Sequence, residues 1–279
     1  MFCDLHTHSV FSDGTFTPAE LIDGVLEAEL SAIALTDHNT VEGLPDLMRA
    51  ASGKPIEIVL GSEFSVDYNE TELHLLGLFI KPTYFSQISE RMKEMMQRKE
   101  QSNIHLIDSL SRVGIHLDYD EIKNATPSGK INRAHIASAM MKKGYVQSVA
   151  EAFDVYLSKS GGYYKEPKRI SVWEMLDFMQ SIGAVSVLAH PFLNLSEKEL
   201  LQFLPAAKEK GLIGMECYYS LNDAPTTDTS LRIANEFGLL PSGGSDFHGL
   251  RKPDIKLGVG KGNLKIPFEW YLALKEKAK

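Results

Sequence analysis

Six histidines and three carboxylates fall where a divalent metal ion could be held: His6, His8, Asp13, His38, Glu63, His74, His190, Asp246 and His248. His6 and His8 stand as Asp4-Leu-His-Thr-His8 at the end of an apolar segment. Residues two apart in an extended strand share a face, so both imidazoles can address one ion. Asp13 follows in Ser12-Asp-Gly14, where the glycine is expected to permit a sharp turn. His38 lies in Thr36-Asp-His-Asn39 and Glu63 in Gly61-Ser-Glu63, each just past a strand-like run. His74 falls early in a fourth such run, His190 follows Val187-Leu-Ala189, and Asp246 and His248 share Gly244-Ser-Asp-Phe-His-Gly249. One histidine beside a strand is ordinarily a satisfied polar residue; the recurrence of ligand types after successive strands is what points to a metal. Imidazole and carboxylate together suit zinc, manganese or iron, and the lack of thiolate ligands argues against a structural zinc site. Nine ligands exceed the needs of one ion, so two or three are expected, with Glu63 bridging a pair.

Short apolar runs supply the positions. Residues 2–5, 32–36, 56–61, 73–80, 184–189, 213–218 and 239–242 read as strands, separated by helical patterns that include 41–51, 171–182, 196–210 and 226–237. Thr17-Pro-Ala-Glu20 has the capping residue, first-turn proline and third-position glutamate of a helix start. Strands alternating with helices predict a largely parallel α/β sheet, and this many units suggests a closed barrel. In such a barrel the shared carboxyl end of the strands builds the active site, so these distant residues would converge there. Residues 99–165 break the rhythm with helical patterns ending at Ser160-Gly-Gly162. We read them as a helical insertion in a barrel made of 1–98 and 166–279.

With 279 residues, 43% hydrophobic and 24% charged, the composition is that of an ordinary globular domain. No apolar run approaches the roughly 20 residues needed to span a bilayer, and no signal peptide is read at the N-terminus. Cys3 and Cys217 sit in apolar strand-like runs and are expected to be buried free thiols, as suits the cytoplasm. A net charge of -8 argues against coating long nucleic acid, though not against a short anionic substrate at a metal site.

The motifs His6-Thr-His-Ser9, Ser12-Asp-Gly14, Thr36-Asp-His-Asn39, Gly61-Ser-Glu63, Ala189-His-Pro191 and Gly244-Ser-Asp-Phe-His-Gly249 resemble those of the PHP (polymerase and histidinol phosphatase) family, most of all its TrpH/YciV-like subgroup. The resemblance implies a distorted (βα)7 TIM-like barrel with a helical insertion and a trinuclear metal site. Carried over by motif, His6, His8, Glu63 and Asp246 would hold one ion, Asp13, His38 and His248 a second, and Glu63, His74 and His190 a third. Asp13 stands where many members have histidine. The implied activity is metal-dependent hydrolysis of nucleotide phosphate esters: a nucleoside monophosphate or 3',5'-bisphosphonucleotide phosphatase, or a 5'→3' exoribonuclease acting on a short RNA end. A metal-bridging hydroxide would attack phosphorus directly, with Glu63, Asp246 and His248 as the catalytic set. The alternatives are histidinol phosphatase, an amidohydrolase-type barrel and a non-catalytic module; the complete ligand set speaks against the last.

The resemblance also assigns substrate phosphate to Arg133 and His135 in Asn132-Arg-Ala-His135, which by residue type alone are ordinary helix-start residues. Asp37 is expected either to accept a hydrogen bond from a ligating imidazole or to cap the helix near Val41. Arg251 and Lys252 read as solvated loop charges beside a weaker option, contact with a second phosphate. His105, His116 and the Met92, Met95 and Met96 stripe read as surface or packing residues. Gly258-Val-Gly-Lys-Gly262 reads as a turn-rich loop, not a phosphate loop.

Overall fold

The computed structural model describes residues 1–126, 129 and 131–278. The chain divides into two compact units, one of residues 1–89 with 170–279 and one of residues 90–169. In chain order the elements are β1 (Phe2–Thr7), α1 (Pro18–Glu27), β2 (Ala32–Leu35), α2 (Leu44–Ala51), β3 (Glu57–Leu60), β4 (Ser62–Tyr68), β5 (Thr71–Leu78) and α3 (Phe85–Ser111). There follow α4 (Tyr119–Asn124), α5 (Arg133–Lys142), α6 (Val149–Ala152), β6 (Ile170–Ser171), α7 (Val172–Ser181) and β7 (Val185–Leu188). The last are α8 (Glu197–Glu209), β8 (Gly214–Tyr219), α9 (Ala224–Glu236), β9 (Leu240–Gly244), β10 (Ile266–Pro267) and α10 (Phe268–Lys275).

In the first unit, helices follow parallel strands as an α/β chain requires, but hydrogen bonding does not close one continuous ring. The strands form a sheet ordered β10-β1-β2-β3 and a second ordered β6-β4-β5-β7-β8-β9. Single bridges join the sheets at two seams, Thr7 to Phe247 and His38 to Glu63. Backbone bonds reinforce both: Asp246 N–H donates to His6 O at 2.8 Å, and Asn39 N–H to Glu63 O at 2.8 Å. The seams thus run through the candidate ligands themselves.

The expected, largely parallel order has an antiparallel exception at β5. β4 and β5 form an antiparallel hairpin, and β5 pairs antiparallel with β7 as well. The alternating run Ser62-Glu-Phe-Ser-Val-Asp-Tyr68 hid β4 from a search for apolar runs, so Glu63, just past β3 as expected, also lies inside a further strand. Because β5 is inverted, its early residue His74 pairs with Ser65 of β4, close to Glu63. β6, β10 and α10 also escaped the sequence reading; two-residue strands carry too little periodicity to register.

Local chemistry explains the elements. Thr17 and Glu20 form the expected reciprocal cap of α1, with Thr17 N–H donating to Glu20 at 2.7 Å and Glu20 N–H to Thr17 Oγ1 at 3.2 Å. β1 alternates: Cys3 and Leu5 enter a fully buried core with Ala32, Val59, Val187, Ile266 and Leu274, while Asp4, His6 and His8 occupy the other face. The second unit has its own core, built from Leu106, Leu110, Ile136, Met140 and Leu157. Met92 and Met95 are buried. Among the described residues no helix is long and apolar enough to cross a membrane.

Gly244 is required by close approach. A Cβ there would lie 2.1 Å from His6 Cβ and 2.6 Å from His6 N, and backbone cannot yield as a flexible side chain can. Gly244→Ala is expected to cost about 2–3 kcal/mol, read as a lower urea midpoint with unchanged slope. Both cysteines are free and buried. Burial pushes the Cys217 thiol up to about 12 and Cys3 higher still. Iodoacetamide should therefore modify neither at mildly alkaline pH until denaturant is added; rapid labelling of the native protein would contradict this burial.

Candidate metal centre

Glu63 is the centre of the site. Its Oε2 lies 3.2 Å from His6 Nε2, 3.2 Å from His8 Nε2 and 3.1 Å from His38 Nδ1. Its Oε1 lies 2.7 Å from His74 Nδ1 and 3.0 Å from His190 Nε2. The carboxylate is therefore shared between two sets of imidazoles, one on each oxygen. Asp246 Oδ1 stands 3.2 Å from His8 Nε2 and 3.7 Å from His6 Nε2. Asp13 Oδ1 stands 3.2 Å from His248 Nε2, 3.8 Å from His38 Nε2 and 4.0 Å from His8 Nδ1.

All nine expected ligands come together in four overlapping groups: His8, Asp13, His38 and His248; His6, Glu63 and His190; His6, His8 and Asp246; and His38, Glu63 and His74. The partition differs in detail from the one implied by family motifs, since His74 and His190 fall in separate groups and His8 also joins Asp13. Arg133 and His135 lie in the second unit and belong to none of these groups.

Whether these residues suit metal ions can be judged from their unmet polar atoms. His6 Nε2, both nitrogens of His8, His38 Nδ1, His74 Nδ1, His190 Nδ1 and Glu63 Oε2 are buried without a hydrogen bond. Orphaned polar atoms at this density are costly and rare in proteins. Two ligands held at about 2.1 Å from one ion are about 3.0–3.4 Å apart, which matches the spacing around Glu63. The donor set fits divalent ions.

Protonation points the same way. Burial opposes charge on every carboxylate here, yet the surrounding imidazoles hold Asp13, Glu63 and Asp246 well below the usual carboxylate range. Burial dominates at His38 and takes it down to about 3. At His8 and His74 burial is outweighed by neighbouring carboxylates, chiefly Asp246 and Glu63 for the former and Glu63 for the latter, raising them to about 9 and about 10. Protons therefore neutralise the cluster in the metal-free protein, and an incoming ion must displace them.

The ligands are held by a second ring of bonds. Asp37 accepts from Ser9 N–H at 2.8 Å, Ser9 Oγ at 2.6 Å and Ser12 Oγ at 2.5 Å. It thus organises the loop carrying Asp13; it is neither the imidazole partner nor the helix cap expected, since the cap of α2 is Gly43, which offers no side chain. Gly14 serves that loop by close approach and not by a left-handed turn, because a Cβ would lie 2.5 Å from His8 O. Asp4 accepts from Ser245 N–H and Gly258 N–H at 2.8 Å, tying β1 to the loop after β9 and to the turn-rich 258–262 loop. His248 Nδ1–H donates to Asp246 O at 2.8 Å, leaving Nε2 to face Asp13. Lys252, expected to be a solvated charge, reaches Asp246 Oδ2 at 2.6 Å, where Tyr219 OH also donates at 3.1 Å.

Glu216, Asp4 and Tyr219 were missed from sequence. A signal existed for the carboxylates: each is an acid inside an otherwise apolar run that forms a buried strand, a local conflict that function commonly explains. Three non-glycine residues of the site hold left-handed backbone, Asn39 (φ 53°), His190 (φ 27°) and Asp246 (φ 55°). Such outliers cost on the order of 1–3 kcal/mol each and gather at functional sites.

In the second unit, Arg133 lies over the Tyr164 ring at 4.2 Å and donates to Leu157 O at 3.1 Å. His135 Nδ1 accepts from Asn132 N–H at 3.0 Å, completing the cap of α5 and leaving its proton on Nε2.

Stripping metal with a chelator should lower the melting temperature, and an ion restored at 100 times its Kd should recover about 2.7 kcal/mol. With His8 and His74 protonated below about 9 and about 10, affinity should fall as pH falls, about tenfold per unit for each proton displaced. Calorimetric titration in buffers of different ionisation enthalpy measures that release; a buffer-independent heat would contradict it.

The chain is similar to known phosphoesterases. The chain is 28% identical over 246 residues to a 5'-3' exoribonuclease of Haemophilus influenzae, covering 88% of this chain and 89% of that protein. It is 29% identical over 251 residues to a 3',5'-nucleoside bisphosphate phosphatase of Chromobacterium violaceum, covering 88% and 86%. A crystal structure assigned as a metal-dependent phosphoesterase of Bifidobacterium adolescentis superposes with a TM-score of 0.86 at 25% identity, over 99% of this chain and 96% of that one. The PHP domain model matches residues 4–239, so the chain belongs to the PHP domain family.

Proposed function

We propose that this protein is a metal-dependent phosphoesterase that releases phosphate from nucleotides or from the 5' end of short RNA. The observation that carries the reading is the buried Glu63 carboxylate flanked on both oxygens by imidazoles whose facing nitrogens largely lack other partners. The two named relatives, acting on RNA and on nucleoside bisphosphates, support nucleotides as the substrate class.

His6, His8, Asp13, His38, Glu63, His74, His190, Asp246 and His248 would hold two or three ions, of manganese, iron or zinc. Bound there, such ions would neutralise phosphate oxygens and acidify water. The protein's own part is to keep the carboxylates ionised and the imidazoles correctly oriented. Nearby hydroxyls are committed elsewhere: Ser9 Oγ donates to Asp37 at 2.6 Å and Ser245 Oγ to Asp4 at 2.5 Å. Both hydroxyls are also fully buried and closed off from a substrate, which supports direct attack by water without a phosphorylated enzyme.

In this reading residues 99–165 act as a substrate cap, and Arg133 and His135 receive the phosphate. A guanidinium already ordered over Tyr164 loses little freedom on binding an anion. The buried reduced thiols support a cytoplasmic location.

The test is hydrolysis by manganese-loaded protein of AMP, adenosine 3',5'-bisphosphate, a 5'-phosphorylated oligoribonucleotide and histidinol phosphate. Preference for the first three, lost by more than about 100-fold in Asp246→Ala, is the expected result. Preference for histidinol phosphate would move the protein to an amine-phosphate substrate, and inactivity on all four would refute the reading. Arg133→Ala should raise KM with a smaller change in kcat.

A further inference from the structure

β8 contributes no candidate metal ligand, yet it touches three of them. Glu216, fully buried, accepts from His6 Nδ1–H at 3.0 Å through Oε1 and from the His190 backbone N–H at 2.7 Å through Oε2. The first bond commits Nδ1 and leaves His6 Nε2 to face Glu63 and Asp246, at 3.2 and 3.7 Å. The second holds the peptide of His190, whose φ of 27° is unfavourable for a residue with a side chain.

Tyr219 adds a third contact from the same strand. Its hydroxyl donates to Asp246 Oδ2 at 3.1 Å, which leaves Oδ1 to face His8. Residues 216 and 219 would point to opposite faces of a regular strand. The register of β8 against β9 shifts between Glu216 and Tyr218, and this irregularity turns both side chains to the cluster.

We infer that Glu216 is a positioning residue for the metal centre: it fixes the His6 tautomer and the His190 backbone together, with Tyr219 fixing which Asp246 oxygen faces the metal. The inference rests on the metal-dependent reading above. A carboxylate behind a ligating imidazole orients it and raises its basicity. Here one carboxylate serves ligands from two different strand ends, so loss of Glu216 disturbs both at once. Glutamine at this position can accept from His6 but would turn its amide group toward the His190 N–H, donor against donor.

The experiment compares wild type, Glu216→Gln and Tyr219→Phe, each stripped of metal and titrated with Zn²⁺ against a competing chelator. Expected are weaker binding of at least one ion in Glu216→Gln by about 10–100-fold, a smaller loss in Tyr219→Phe, and shifted visible bands in Co²⁺-loaded Glu216→Gln. KM at saturating metal should change little. Wild-type affinity, stoichiometry and Co²⁺ spectrum in both variants would overturn the inference while leaving the metal site intact. A wild type that binds no Zn²⁺ or Co²⁺ would overturn the metal-dependent reading and the inference with it. Should Glu216→Gln not fold, the Co²⁺ spectrum of Tyr219→Phe decides: a shift supports the role of β8, and its absence refutes it.

Discussion

The structure is organised around the burial of one carboxylate among imidazoles. Glu63 is fully buried and lies within 2.7–3.2 Å of nitrogens from His6, His8, His38, His74 and His190. Such a group is stable only when its charge is matched, by protons or by metal ions, and when every side chain is held still. The five imidazoles come from β1 and the segment after it, the loop after β2, β5 and the loop after β7. None is near enough in sequence to build the site alone. The cluster is therefore complete only where the two sheets meet, and an ion bound there would add its affinity to folding stability.

That constraint explains features that would otherwise look unfavourable. Each left-handed residue of the site is held by hydrogen bonds that offset the cost of its conformation. Asn39 accepts from Ser65 N–H at 2.9 Å and donates its own backbone N–H to Glu63 O at 2.8 Å. His190 is fixed through Glu216, and Asp246 through His6 O, Tyr219 and Lys252. Buried acids such as Asp4, Asp37 and Glu216 are tolerated because each accepts several hydrogen bonds. The seams between the sheets fall where these bonds concentrate, so the places lacking a continuous ladder are tied instead by the site.

Much of the site was legible in the chain because metal chemistry restricts residue type. Histidine and carboxylate at the ends of apolar runs need no structure to be noticed, and the alternation in β1 already placed His6 and His8 on one face. The capping box at Thr17 was legible for the same local reason. The hairpin of β4 and β5 was not. Its first strand alternates polar with apolar residues, and nothing in an apolar-run search shows that β5 runs backwards.

Sequence by itself determined the inventory of candidate ligands, the α/β class and the family, since these rest on residue type, local periodicity and motif. Tertiary structure alone decided how the ligands are shared, that Glu63 presents one oxygen to three imidazoles and the other to two, and that Glu216 and Tyr219 stand behind them. The physical reason is range. Helix caps and strand faces are set by residues a few positions apart, whereas the bond from His6 to Glu216 spans 210 residues and exists only once the intervening strands have taken their order.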